Sequence, residues 1–481
     1  SDYDKVQLPQ KRDDKFWMEW ITFRCHTVAE FHKRLRTVAR QYNPHFMISG
    51  NVFGGFGYGP IAYDAAGNME MLAREGYDDF IYSEMQEFLD SAPRKDENGT
   101  KITNSPALKF LAAASHGKPT IIYATEITPP IFPDPTEKCL SAMAQINIAE
   151  AVANHAIFRE KRQTPPGATD MYRFLSANEK YLVGAQLHSN IAVLASLNQY
   201  LADEQSFAFS LSRVLADQGI AHQMIVEDDL LLADLTRYDL IIIPYLPLLS
   251  AQKQEALKAY AEHGGKVLLL GNCGFKNEFN VPQQAIVLAS LFEGSQYPNQ
   301  MTVRKYGQGS VFFIPLTIPD SKFLIPLKKK GEVTTFGPEM ADVFADIPEG
   351  YTRNRMDPEL RQILENVVQK TIELLDDQTT RILSAAPYVE LTTMLNQKEN
   401  CLLVHLVNYD VTVDGTITPC KNLKIQLALP EGKKAKSVRY SGSLSELMPI
   451  EFGTIEKKGR QIVTFGVDEV QVYGLGIVEL N

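Results

Sequence analysis

Residues 238–271, YDLIIIPYLPLLSAQKQEALKAYAEHGGKVLLLG, hold two near-continuous apolar runs separated by an alternating polar and apolar stretch. LIIIPYL and KVLLLG have no polar face, as expected of strands buried on both sides of a parallel sheet. The intervening SAQKQEALKAYAEHGG opens on a serine able to cap a helix and closes on glycines able to end one. Strand, crossover helix and strand make a βαβ unit. The same rhythm extends outward on both sides. HSNIAVLASL (188–197) predicts a strand, SFAFSLSRVLADQG (206–219) a helix closed by Gly219, and AHQMIVEDD (221–229) a further strand. QGSVFFIP (308–315) predicts a last strand returning to the sheet, so the region reads as a doubly wound α/β module of flavodoxin-like rhythm.

Upstream, residues 15–42 carry Phe16, Trp17, Trp20, Phe23, Val28, Phe31, Leu35 and Val38 at three- and four-residue steps, the period of an amphipathic helix. HFMISGNVFG (45–54), DDFIYSEM (78–85) and KPTIIYATE (118–126) read as strands, with helices over 68–76, 105–116 and 137–160 between and after them. Alternation at this spacing predicts three parallel βα units, with a degenerate fourth near residue 155. QTPPGATD (163–170) marks a boundary. A helix over 357–376 precedes a change of period. From about residue 386 the segments YVELTTML, CLLVHLVNY, LKIQLAL, KSVRYSG, QIVTFGV and YGLGIVEL predict a small antiparallel β-sandwich. The expected divisions are 1–165, a partial barrel; 175–320, the flavodoxin-like module; 321–385, a helical connection; and 386–481, the sandwich.

Composition narrows the function. The chain has 481 residues, 44% hydrophobic and 22% charged, with a net charge of -10. A nucleic-acid partner needs clustered cations, and the one basic run, Lys328 to Lys330, reads as a solvated loop. No stretch reaches the ~20 apolar residues of a membrane span. The opening SDYDKVQLPQKRDDK has no apolar core and no initiator Met, which fits a processed product or a removed upstream segment. Five widely spaced cysteines predict neither a disulfide framework nor a zinc site. Cys401 and Cys420 could pair in an exported protein, whereas reduced thiols and a cytoplasmic location are the default. His26 and His32, six apart on a helix, cannot share a face as metal ligands. GNVFGGFGYGP lacks the strand-turn-helix setting of a phosphate loop, so no cofactor and no metal are expected.

The order of these regions, with WMEWITFRCHTVAEFHKRLRTVARQYNPHFMISGN, KPTIIYATE, the 238–271 stretch and HLVNYD near residue 405, resembles the family 42 β-galactosidases. The resemblance covers nearly the whole chain. It implies the second half of a (β/α)8 barrel, about strands five to eight, then a trimerisation-type module and a β-sandwich. Strands one to four, and the acid/base Glu expected on strand four, would then lie upstream of Ser1. A second chain supplying that half is one arrangement consistent with this count, and a trimer or dimer is the expected assembly.

Retaining glycosidases use two carboxyl groups, one as nucleophile and one as proton shuttle, and barrels carry such groups at the C-terminal ends of strands. Glu126, ending TIIYATE, is the candidate nucleophile; a strand-end Glu paired with a cation is the plainer reading. Glu84, ending FIYSE, takes the nucleophile role if the strand count is off by one, and otherwise lines the sugar pocket. Asn51 could hold a sugar hydroxyl or simply make a turn. Tyr82 shares the face of Glu84 by alternation, and Tyr123 faces away from Glu126. Trp17 could stack on a sugar ring or pack in the core, and Arg24 could orient a carboxylate or make a surface ion pair. Carbohydrate is thus the expected ligand. Two function classes follow, a β-galactosidase-like retaining hydrolase or part of one, and a non-catalytic carbohydrate-binding or assembly subunit. Cys273, after LLLGN, suggests an amidotransferase nucleophile, but no histidine lies between His263 and His405 to activate it.

Overall fold

The computed structural model describes residues 8–9, 14, 16–52, 68–74, 76–85, 94–95, 99, 101–124, 136–159, 166–202, 206–316, 358–412 and 414–481. The 26-residue helix α1 (Trp17–Tyr42) leads into a four-stranded sheet of β1 (Asn51–Val52), β2 (Ile81–Met85), β3 (Thr120–Ala124) and β4 (Ile157–Arg159). Every pairing is parallel and the spatial order follows the chain, β1-β2-β3-β4. Helices α2 (Ser105–Ala114) and α3 (Glu137–Ala153) provide the crossovers after β2 and β3. The expected degenerate fourth strand is therefore real, and α3 stops at Ala153 to make room for it.

HFMISG is not the buried strand expected. Phe46 and Met47 are exposed, and only Asn51 and Val52 pair with β2. Side-chain carboxylates replace the ladder here. Asp79 Oδ2 accepts from Ile48 N and Asp78 Oδ2 from Gly50 N, each at 2.9 Å, while Asp79 N donates to Ile48 O at 2.8 Å. Asp78 and Asp79 also hold α1, through His32 at 2.8 Å and through Arg36 and Arg40.

After α4 (Pro166–Ala177) come the short β5 (Gln186–Leu187) and the second sheet, built from β6 (Ile191–Ala195), β7 (Gln223–Val226), β8 (Leu240–Pro244), β9 (Lys266–Leu270), β10 (Thr302–Tyr306) and β11 (Gly309–Ile314). Its order is β10-β11-β9-β8-β6-β7, with only β10 antiparallel. Leaving out β10, the order is 2-1-3-4-5, the flavodoxin-like winding. Helices α5 (Ala208–Asp217) and α6 (Ala251–Glu262) end and begin as the sequence predicts. Gly219 sits at φ 66°, and the Ser250 side chain accepts from Lys253 N. β6 and β8 are buried at every position, as strands covered on both faces must be.

Helix α7 (Pro358–Leu374) precedes nine strands in two antiparallel layouts: β12 (Arg381–Ile382), β13 (Val389–Asn396), β14 (Cys401–Asn408), β15 (Cys420–Ala428), β16 (Ala435–Ser441), β17 (Met448–Pro449), β18 (Phe452–Lys457), β19 (Arg460–Val470) and β20 (Tyr473–Leu480). One sheet runs β12-β15-β19-β18 and the other β17-β16-β20-β14-β13-β5. Leu402, Val404 and Leu406 from one and Leu423, Ile425, Val463 and Phe465 from the other form one core cluster, so the two sheets face each other. The short β12, β17 and β18, and the visit of β5 to this sheet, have no clear signal in the sequence. All five cysteines are free thiols, so Cys401 and Cys420 do not pair. No described helix is long and apolar enough to cross a membrane.

One buried polar seam joins the three regions. Glu150 on α3 accepts from Arg94, Thr103, both nitrogens of Asn104, and the Tyr409 hydroxyl after β14. Lys101 lies between Asp217 at the end of α5 (3.0 Å) and Glu390 on β13 (2.9 Å). Lys109 on α2 donates to Ser105, Asn154 and Thr392. Each buried charge of this seam thus faces a partner, as burial requires.

Candidate active site at the strand ends

The C-terminal ends of β1–β4 bring several expected positions together. Asn51 is the register partner of Tyr82, which in turn aligns with Ile121, and Glu84 aligns with Tyr123. Tyr123 aligns with Arg159 and Ile121 with Ile157. Because residues in register share a face, positions 51, 82, 84, 121, 123, 157 and 159 fall on one side of the sheet. The other side holds Ile81, Ser83, Ile122 and Phe158, all buried. The first side is the more open one. Tyr82 and Ile121 are half-buried, and Ile157 and Arg159 are exposed.

Arg159 is the residue that the sequence reading missed. Its Nη1 donates to the Tyr82 hydroxyl at 3.0 Å and its guanidinium lies 6.0 Å from the ring centre, across β3. A cation held on a phenol at the end of a parallel sheet can meet a carboxylate or a sugar hydroxyl with several N–H donors. The only signal for it was the arginine ending a three-residue strand, too short for periodicity to find.

The remaining expectations divide. Glu126 and the loop GNVFGGFGYGP beyond Val52 lie outside the described residues, and for Asn51, Glu84 and Tyr123 the structure gives backbone position. Trp17 is 8% exposed and its Nε1 donates to Leu201 O at 2.8 Å, so it anchors α1 on the second sheet's side of the molecule and offers no ring face to a sugar. Arg24 is half-buried on α1, beside the buried Cys25.

Other chemistries fit less well. Burial pushes the Cys273 thiol up to about 12, the reverse of an activated nucleophile. No described group of His, Cys, Asp or Glu could hold a metal. The crevice beyond β6 and β8, where a flavodoxin-like sheet binds its ligand, is occupied by the protein itself. The amide of buried Gln199 donates to Leu248 O at 2.7 Å and accepts from Leu248 N at 3.1 Å. A cleft of about 800 Å³ beside α4 is lined by Phe174, Tyr181 and Tyr473, yet all three rings are buried and none presents a stacking face.

A sequential parallel sheet, a flavodoxin-like module and facing antiparallel sheets define an α/β protein of composite architecture. Its likeness is to the family 42 β-galactosidases. Residues 212–293 match the family described as the β-galactosidase trimerisation domain. The β-galactosidase of Rahnella sp. R3 shares the fold at TM-score 0.58 and 15% identity, over 97% of this chain and 71% of that one. The enzyme of Bacillus circulans sp. alkalophilus does so at TM-score 0.60 and 12% identity, over 96% and 71%. An exo-carrageenase from Bacteroides ovatus is similar at TM-score 0.55 and 11% identity, over 99% and 58%. No curated protein matches the sequence.

Proposed function

We propose that this chain is a retaining glycoside hydrolase of β-galactosidase type, or the C-terminal portion of one. The observation that carries the reading is the four-stranded parallel sheet in chain order, which ends in carboxylate and polar positions on its open face. In this reading β1–β4 are strands five to eight of a (β/α)8 barrel, residues 1–165 its partial catalytic domain, 175–320 a trimerisation-type module, 321–385 a helical connection and 386–481 a β-sandwich. Glu126, just beyond β3, is the nucleophile. Its carboxylate oxygen bonds to the anomeric carbon as the glycosidic C–O bond breaks, and the departing oxygen takes a proton from a second carboxylic acid. Water then cleaves the glycosyl–enzyme ester with that group acting as base. The second acid is expected on a strand preceding β1 in the barrel count. Glu84 lines the pocket, or becomes the nucleophile if the count shifts by one strand. Tyr82 with Arg159, and Asn51, orient the sugar. The match at 212–293 supports a homo-oligomer, a trimer or dimer, as the working form.

The test is hydrolysis of aryl β-galactosides by the native assembly. Glu126→Gln and Glu84→Gln, each correctly folded, should together abolish turnover, whereas full activity in both variants overturns the assignment. A second reading, a non-catalytic carbohydrate-binding subunit, is favoured by β1, which among the described residues pairs only with β2. It predicts retention on a galactoside column with no turnover.

A further inference from the structure

The cleft of about 800 Å³ between α4 and the sandwich shares no described residue with the strand-end site. Its volume falls within the roughly 300–1,000 Å³ of small-molecule sites. Because the rings of Phe174, Tyr181 and Tyr473 are buried, the cleft offers a ligand polar and charged groups rather than an apolar face. Among the described residues three cations line it: Arg173 on α4, Lys180 on the helical turn Glu179–Leu182, and Arg439 on β16. Asp170 and Glu446 are its carboxylates, so the lining is net positive in a chain whose net charge is -10.

Tyr181 brings two of these cations together. Arg439 Nη2 donates to its hydroxyl at 2.6 Å, with the guanidinium 5.3 Å from the ring centre, and the Lys180 ammonium lies 4.5 Å from that centre. Burial alone would raise the Tyr181 hydroxyl, but bonds from Lys180 and Arg439 outweigh it and hold it below its ordinary value. Two positive groups therefore converge on one phenol oxygen, an acceptor without a full charge of its own. Glu479 also accepts from Arg439, at 2.9 Å, while Lys180 has the Tyr181 hydroxyl as its foremost partner and Glu399 acts on it least. Arg173 meets Asp170 at 3.4 Å with both side chains mostly exposed, a weak pair in water. The turn after β16 adds the hydroxyls of Ser443 and Ser445, bonded to each other at 3.3 Å and to Ser441. Gln145 and Gln471 add side-chain amides to the lining.

We propose that this cleft binds a polyhydroxylated small molecule carrying one anionic group, a sugar acid or a sulfated sugar. The anion sits against Lys180 and Arg439 beside the Tyr181 hydroxyl, where charge-assisted hydrogen bonds are the strong ones. The sugar hydroxyls meet the serines and glutamines, which supply both donors and acceptors. A neutral sugar gains little, because no ring face is available for stacking, and a bare anion leaves the hydroxyl and amide groups unmatched. The site is independent of the hydrolase reading, since none of these residues lies on β1–β4.

Isothermal titration of the full chain tests this with galacturonate, galactose 6-sulfate, galactose and inorganic sulfate as probes. One or both of the anionic sugars should bind, and the one bound more tightly assigns a carboxylate or a sulfate ester as the anionic group. Arg173→Gln with Lys180→Gln should weaken that binding about tenfold or more, because two charged donors are lost. Both side chains are exposed, so the fold is kept, as an unchanged urea midpoint verifies. Binding of neither anionic sugar, equal binding of galactose, equal binding of inorganic sulfate, or undiminished binding in the double variant overturns the proposal. The readout is binding at these two residues, so it stands whether or not the chain hydrolyses galactosides.

Discussion

Glu70 is the residue whose charge state is most at odds with its surroundings. It is buried on the short helix Met69–Ala73, its Oε1 has no hydrogen-bond partner among the described residues, and burial followed by the charge of Glu227 pushes its carboxyl up to about 8. Its fold-stabilising form is the neutral acid. Stability is therefore fully present below about pH 4.5, falls as pH rises toward 8, and is level beyond. Glu70→Gln should flatten that slope and raise stability by about 1–4 kcal/mol at pH 9, measured by urea unfolding at pH 5, 7 and 9; an unchanged slope counts against it. Glu150 is the opposite case, a buried carboxylate with its donors in place. Glu150→Ala removes the carboxylate facing the buried Arg94 and should cost about 3–5 kcal/mol, read as a lower urea midpoint at constant slope. Neither residue stood out in the sequence, because a glutamate on a helix looks the same whether it faces water or the protein interior. Glu84 and Asn51 were legible at strand ends; Arg159 was not, since β4 is three residues long.

At the scale of elements, long apolar runs were read well and short pieces poorly. LIIIPYL and KVLLLG became β8 and β9 because burial on both faces demands a continuous apolar run. The two-residue strands β5, β12 and β17 have no period to detect, since their pairing is decided by neighbours distant in sequence. HFMISG misled for a related reason: its apolar content suggested a strand, but Asp78 and Asp79 took up its backbone donors. That gives an element-level prediction. Asp79 bonds Arg36, Arg40 and the Ile48 amide, so Asp79→Ala should loosen α1 and the approach to β1 together. The cost is about 1–3 kcal/mol, with faster amide exchange at 46–50 and in the last turns of α1. Exchange confined to one of the two segments would show that Asp79 does not couple them.

For the whole molecule, the order of three architectures was legible from changes of period alone, from alternating βα units to a doubly wound rhythm to short strands with turns. The seam that binds them was not, because Lys101, Glu150, Glu390 and Tyr409 come from segments hundreds of positions apart, and their pairing exists only in the fold. The match of 212–293 to a trimerisation domain predicts an oligomer. Light scattering of the purified chain should give two or three copies, and Phe279 and Val281, exposed on that stretch, are the first positions to test. Phe279→Glu with Val281→Glu should shift the mass toward one copy; an unchanged mass would place the contact elsewhere.

The most direct test of the central claim is covalent trapping. An activated 2-fluoro-galactoside leaves without strong acid assistance, so it should label the nucleophile even where proton donation is weak. The account predicts one sugar adduct per chain, on the peptide containing Glu126 or, with the strand count shifted, Glu84. Absence of an adduct, or one on a carboxylate away from the ends of β2 and β3, would contradict it.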